Sequence, residues 1–130
     1  MIYVMDASAL LAIARGEKGY ELVEELIQSK ECVISSVNMA EVGAKLMDSG
    51  LPEAQLSKIL LQFQVDVVDF NAEQATRSAA LRPLTKSFGL SLGDRACFAL
   101  AQLMQGCVVT ADRAWSDVEL ALKLKVIQIR

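Results

Sequence analysis

Four acids, Asp6, Glu41, Asp94 and Asp112, carry the chemical interest of a 130-residue chain that contains no histidine. The missing imidazole removes Ser-His-Asp and Cys-His nucleophilic schemes, histidine general bases and His-containing zinc sites. Carboxylates brought within roughly 4 Å repel by about 4 kcal/mol per pair at an effective dielectric of about 20. A shared pocket therefore needs a compensator, which is either a raised carboxyl pKa or a divalent cation. Oxygen-only ligation with retained water suits Mg²⁺ or Mn²⁺. Such an ion lowers the pKa of water and clamps a phosphodiester oxygen, which supports in-line hydrolysis without imidazole.

Each acid also has a purely structural role open to it. Asp6 and Asp112 follow short apolar runs and precede helical segments, where Asp is a favoured N-cap. Glu41 lies on an apolar stripe of a helix from about Val37 to Met47, with Lys45 available one turn on, an i, i+4 pair worth roughly 0.2 to 0.5 kcal/mol. Asp94 begins a segment whose i+3, i+4 and i+7 positions are Cys97, Phe98 and Ala101. Near a helix start its charge interacts favourably with the dipole, by roughly 0.3 to 1 kcal/mol. Ser8 and Thr110 are of the type that hydrogen-bonds local backbone. Asp117 reads as a solvent-facing helix residue.

Along the chain, β-type runs occur at Ile2–Met5, Cys32–Ser35, Val65–Val68, Cys107–Thr110 and Val126–Ile129, separated by segments of helical spacing. This alternation predicts a parallel sheet, and runs that are apolar throughout predict helices on both faces. The expected fold is α/β, a three-layer α/β/α sandwich in one domain over residues 1–130. Ligands of such sheets bind at the carboxyl ends of the strands, where Asp6 and Asp112 fall. Leu56, Ile59, Leu60 and Phe63 predict a helix after Pro52 that buries one face. Asn71 and Gln74 have capping-box spacing, Pro83 is expected to interrupt the helix that follows, and Gly106 to stop the next.

The formal charge of −3, from 13 basic and 16 acidic side chains, argues against wrapping along nucleic acid and leaves room for a local site. Cys32, Cys97 and Cys107 are odd in number and set among apolar neighbours, which predicts buried thiols and a reducing, cytoplasmic setting. Neither a membrane span nor a secretory leader is expected, because no apolar run is long enough and Asp6 interrupts the first one. Neither GxxxxGK[ST] nor GxGxxG occurs, which disfavours P-loop and dinucleotide enzymes.

The four acids sit in blocks that together resemble one known family. Val4-Met5-Asp6-Ala7-Ser8-Ala9-Leu10 resembles the opening acid motif of the PIN-domain nucleases. Ile34-Ser35-Ser36 through Asn38 to Glu41 resembles the second, Leu90-Ser91-Leu92-Gly93-Asp94-Arg95 the third, and Thr110-Ala111-Asp112-Arg113-Ala114-Trp115 the fourth. The blocks occur in the family's order over nearly the whole chain, and within the family the likeness is to VapC-like toxins of toxin–antitoxin pairs. The resemblance implies a five-stranded parallel sheet and an endoribonuclease in which Asp6, Glu41, Asp94 and Asp112 are catalytic and hold Mg²⁺ or Mn²⁺. It places Ser8 and Thr110 in support of the metal shell, and it implies an RNA substrate, a cognate VapB-like antitoxin and a homodimer. Arg15, Lys86, Arg95 and Arg113 lie in or near the motifs and are of the type that touches phosphates. Two other classes compete. A receiver-like signalling domain needs adjacent acids after the first strand and a lysine after the last, and Asp6 stands alone between Met5 and Ala7. A non-catalytic binding module would use the acids as caps only.

Overall fold

The computed structural model describes residues 1–130. Five parallel strands, β1 (Ile2–Met5), β2 (Glu31–Ser35), β3 (Asp66–Val68), β4 (Cys107–Thr110) and β5 (Val126–Gln128), form one sheet in the order β3-β2-β1-β4-β5. Eight helices connect them: α1 (Ala7–Arg15), α2 (Tyr20–Ser29), α3 (Ser36–Asp48), α4 (Glu53–Gln62), α5 (Ala72–Ala80), α6 (Arg82–Thr85), α7 (Leu92–Met104) and α8 (Glu119–Leu122). The three-layer α/β/α arrangement and the five strands expected from the sequence are present. No helix is long and apolar enough to cross a membrane.

The period-2 alternation of strands divides the core. Val4 pairs with Val33 on one side and Val108 on the other, and these three pack with Phe98, Leu100 and Trp115. Their neighbours Met5, Ile34 and Val109 face the opposite layer and pack with Leu10, Ala12 and Val42 of α1 and α3. Covering both faces explains why β1 and β4 read as unbroken apolar runs. The order of connection reverses at β1, with β2 on one side and β4 on the other. That switch point opens a crevice at the carboxyl edge, where Asp6 follows β1 and Ala111 and Asp112 follow β4.

Several local expectations are refined. Asn71 accepts from the Gln74 N–H as expected, but the Gln74 carboxamide donates to the Asp69 carbonyl instead of returning to the cap. Helix α5 ends at Ala80 and Pro83 enters the first turn of α6. The α7 stop is Gln105, left-handed at φ 54°, and Gly106 serves a different need. A β-carbon on Gly106 would lie 2.5 Å from the Ile2 carbonyl oxygen, so glycine lets β4 enter the sheet beside β1.

The apolar face of α4 is the clearest departure from expectation. Leu56, Ile59 and Leu60 are only half-buried, and Phe63, just past the helix end, is the one member of the stripe that is buried. A cavity of about 730 Å³ lined by Met39, Leu56, Leu60, Leu61 and Val65 lies between α4 and the β3 edge. The stripe packs on α3, where Leu56 and Leu60 lie over Gly43, and the three-residue β3 leaves its outer side open.

Candidate active site

Asp6 is held by residues from both sides of the switch point. It occupies the N-cap position of α1, but its side chain makes no capping bond. The Ser8 and Thr110 hydroxyls instead donate to the same oxygen, Oδ2, at 2.7 and 2.9 Å. Those hydroxyls are oriented in turn by backbone donors, because the Ala111 N–H donates to Ser8 Oγ at 2.9 Å and the Asp112 N–H to Thr110 Oγ1 at 3.0 Å. With their lone pairs engaged by N–H groups, both hydroxyl protons are free to point at Asp6. The Asp6 N–H donates to the Val109 carbonyl and continues the β1–β4 ladder. Asp6 is 6% exposed, and this burial raises its carboxyl from 3.8 to about 6. Ser8 and Thr110 act in the lowering direction, and the Asp94 carboxylate in the raising one.

Thr110 therefore has two tasks, and its removal separates them from simple packing. Thr110→Val is expected to lower stability by about 1 to 3 kcal/mol, since it leaves the Asp112 N–H unpaired beside a buried carboxyl. Thr110→Ser retains the hydroxyl and is expected to lose less than half as much in urea unfolding.

Glu41 projects from the second turn of α3. No cation lies within ion-pairing distance of it; Arg130 with Glu17 is the ion pair in the structure, and the Glu41–Lys45 pair open from sequence does not form. The Asn38 carboxamide takes that place, donating to Glu41 Oε1 at 2.8 Å and to the Gly93 carbonyl at 2.9 Å. The Glu41 carboxylate lies against Gly93, where a β-carbon would stand 2.6 to 2.7 Å from its oxygens and Cδ.

Asp94 closes a capping box with Ser91: the Asp94 N–H donates to Ser91 Oγ, and the Ser91 N–H donates to Asp94 Oδ2. One turn along α7 lies the fully buried Cys97. Its thiol is raised well above the usual range, first by burial and then by the Asp6, Asp94 and Glu41 carboxylates. Asp112 behaves differently. Its Oδ1 accepts from the Ala114 N–H, capping the 3-10 turn Arg113–Asp117, and the side chain is exposed.

The Thr110 hydroxyl links the Asp6 carboxylate to the backbone N–H of Asp112, and the Glu41 carboxylate lies against Gly93, the residue before Asp94 in α7. No three of the carboxylates stand around a common ligating position. Local donors explain the opening: the Ser91 and Ala114 N–H groups each claim a carboxylate oxygen, and mutual repulsion favours that spread. Asp117 is exposed, as are Arg15, Lys86 and Arg113, whereas Arg95 is half-buried and donates to the Ser78 carbonyl. Asn38, Gly93 and Ser91 stand in the motif blocks, but no role of their own was assigned to them from sequence. Ser91 was signalled by its S-x-x-D spacing, and Asn38 by a polar side chain one turn before Glu41 on the same face.

The family sequence model described as PIN domain matches residues 3–120. The chain belongs to the PIN domain family. Among curated PIN relatives, Ribonuclease VapC42 of Mycobacterium tuberculosis (strain ATCC 25618 / H37Rv) is 31% identical over 108 residues, covering 77% of this chain and 82% of the relative. VapC ribonuclease Mb2780c of Mycobacterium bovis matches with the same figures, 31% identity and coverage of 77% and 82%. Among solved structures, VapBC2 from Rickettsia felis bound to a promoter DNA fragment aligns with TM-score 0.76 at 21% identity, covering 98% of each chain. DNA-bound VapBC from Salmonella typhimurium aligns with TM-score 0.76 at 17% identity, covering 100% of this chain and 99% of that one. At such identities the structural likeness speaks for the PIN fold. The PIN assignment accounts for the sheet order and for acids at its carboxyl edge.

Proposed function

We propose that this chain is a metal-dependent endoribonuclease and the toxin of a VapBC-type pair, acting as one domain over residues 1–130. The observation that carries the reading is the buried Asp6 carboxylate held by the Ser8 and Thr110 hydroxyls, with the Glu41 carboxylate seated against Gly93 beside Asp94 and no basic side chain ion-paired to any of the three acids. The donors are all hard oxygens, and the Gly93 cradle gives the Glu41 carboxylate a fixed place. That donor set fits Mg²⁺ or Mn²⁺. Asp6, Glu41, Asp94 and Asp112 would hold the ion, with Ser8 and Thr110 supporting Asp6 from behind. When bound, such an ion supplies a water nucleophile near neutral pH and neutralises charge on a phosphodiester.

The protein's own groups do the positioning. Ser8 and Thr110 anchor the Asp6 carboxylate at Oδ2. Asp112 is linked to the same network by its backbone N–H, and its carboxylate can join once the Ala114 N–H releases it. Attack of water in line at phosphorus leaves a 5′-phosphate and a 3′-hydroxyl. A VapB-like antitoxin, a homodimer and a cytoplasmic setting complete the reading, supported by the VapC relatives and by three free buried cysteines.

The test is cleavage of a mixed RNA pool by purified protein with Mg²⁺ or Mn²⁺ and with chelator. The expected result is cutting that chelator abolishes, with 5′-phosphate ends. Cutting that persists in chelator, or primary 2′,3′-cyclic phosphate ends, overturns the proposal.

A further inference from the structure

Two residues near Glu41 go against the local preferences of their own helices. Gly93 lies in the first turn of α7 with no left-handed backbone to justify it, and glycine is a poor helix former. Asn38 lies in the first turn of α3, fully buried, with its Oδ1 carbonyl unpartnered. A buried unpaired carbonyl is penalised, and an apolar side chain of similar size avoids the penalty. Both exceptions meet at one carboxylate. Gly93 leaves the space that the Glu41 carboxylate occupies, and the Asn38 amino group divides its two protons between Glu41 Oε1 and the Gly93 carbonyl. Because both of these partners are acceptors, the amide orientation is fixed and Oδ1 is the end left over. Local rules broken together at one place mark a functional constraint.

We infer that Asn38 is a positioning residue which, with the space left by Gly93, locks the Glu41 carboxylate against the start of α7 and so sets the affinity of the acid site for a divalent cation. The inference rests on the reading of Glu41 as a metal-holding acid. It also makes the site depend on the seat of α3 against α7, since the Asn38–Gly93 bond crosses between those helices. A change in that seat moves Glu41 relative to Asp94, whose own position is fixed by the Ser91 capping box.

The experiment measures Mn²⁺ binding to metal-free protein by electron paramagnetic resonance without RNA, alongside urea unfolding, for Asn38→Leu, Gly93→Ala and Glu41→Gln. Asn38→Leu removes both the amino group and the unpaired carbonyl, so it is expected to unfold at the same or higher urea while its Mn²⁺ affinity falls about 10- to 100-fold. Gly93→Ala improves helix propensity and fills the cradle, with the same opposed outcome expected. In cleavage assays both variants should require correspondingly more Mn²⁺ for half-maximal rate, with KM for RNA unchanged at saturating metal. Unaltered Mn²⁺ affinity in Asn38→Leu and Gly93→Ala, with Glu41→Gln impaired, overturns the inference and leaves the functional reading standing. Unaltered affinity in Glu41→Gln removes the basis of both. Should Asn38→Leu fail to fold, Gly93→Ala decides the matter alone.

Discussion

Asp6→Asn is expected to abolish cleavage and, in metal-free buffer at pH 7.5, to stabilise the protein by about 3 kcal/mol. Burial raises the Asp6 carboxyl from 3.8 to about 6, and every tenfold gain in proton affinity corresponds to about 1.36 kcal/mol between the protonation states. A raised acid pKa means that the folded state binds the proton more tightly than the unfolded chain does. The penalty is therefore absent below pH 4, grows between pH 4 and 6, and is fully present above pH 6. Asparagine presents an uncharged oxygen to the Ser8 and Thr110 hydroxyls and never incurs it. The melting temperatures of parent and variant should thus coincide near pH 4 and separate by roughly 10 °C above pH 6. Saturating Mn²⁺ should narrow the gap, because binding to the native state stabilises only the parent. A variant no more stable than the parent at pH 7.5 would refute the account of Asp6. Loss of cleavage should exceed the roughly 100-fold reached by losing an outer support of a metal site.

The second large effect lies beneath Asp112. Trp115 is 1% exposed and stacks on Phe98 with ring centroids 4.5 Å apart at a 41° tilt. It anchors the 3-10 turn that Asp112 caps to the core beneath the sheet. Trp115→Ala should cost about 3 to 5 kcal/mol, a large part of the 5 to roughly 15 kcal/mol typical of a domain. Its indole N–H is buried without a partner, so Trp115→Phe should recover much of that loss by keeping an aromatic ring and removing the orphan donor. Urea midpoints of the two variants decide it. A loss below about 1 kcal/mol for Trp115→Ala would mean that the turn does not depend on its anchor.

The strands were legible because β1 and β4 are buried on both faces and carry little but apolar side chains. The placement of Asp6 and Asp112 at the carboxyl edge was legible because Asp6 follows β1 directly and Asp112 follows β4 after Ala111. Asp112 and Asp94 each give a carboxylate oxygen to a nearby backbone N–H, a capping role that their positions before or within the first turn of a helical segment already allowed. What the sequence concealed was the partner of Glu41. The Glu41 partner is Asn38 rather than Lys45, because that face of α3 turns inward against Gly93, 55 positions from Asn38. The half-open face of α4 escaped for a related reason: a helical stripe shows which side faces the domain, and the elements packed against it, here α3, decide how fully it is covered.

The Asp6 clamp also has a bearing on timing. Its supports come from Thr110, 104 positions downstream, and from Ser8, whose hydroxyl is oriented by Ala111. During synthesis an emerging chain carries Asp6 from the outset but cannot seat it until β4 has left the ribosome and docked beside β1, a slow, non-local step. Fragments ending before β4 are therefore expected to lack the seated Asp6 and to leave RNA uncut.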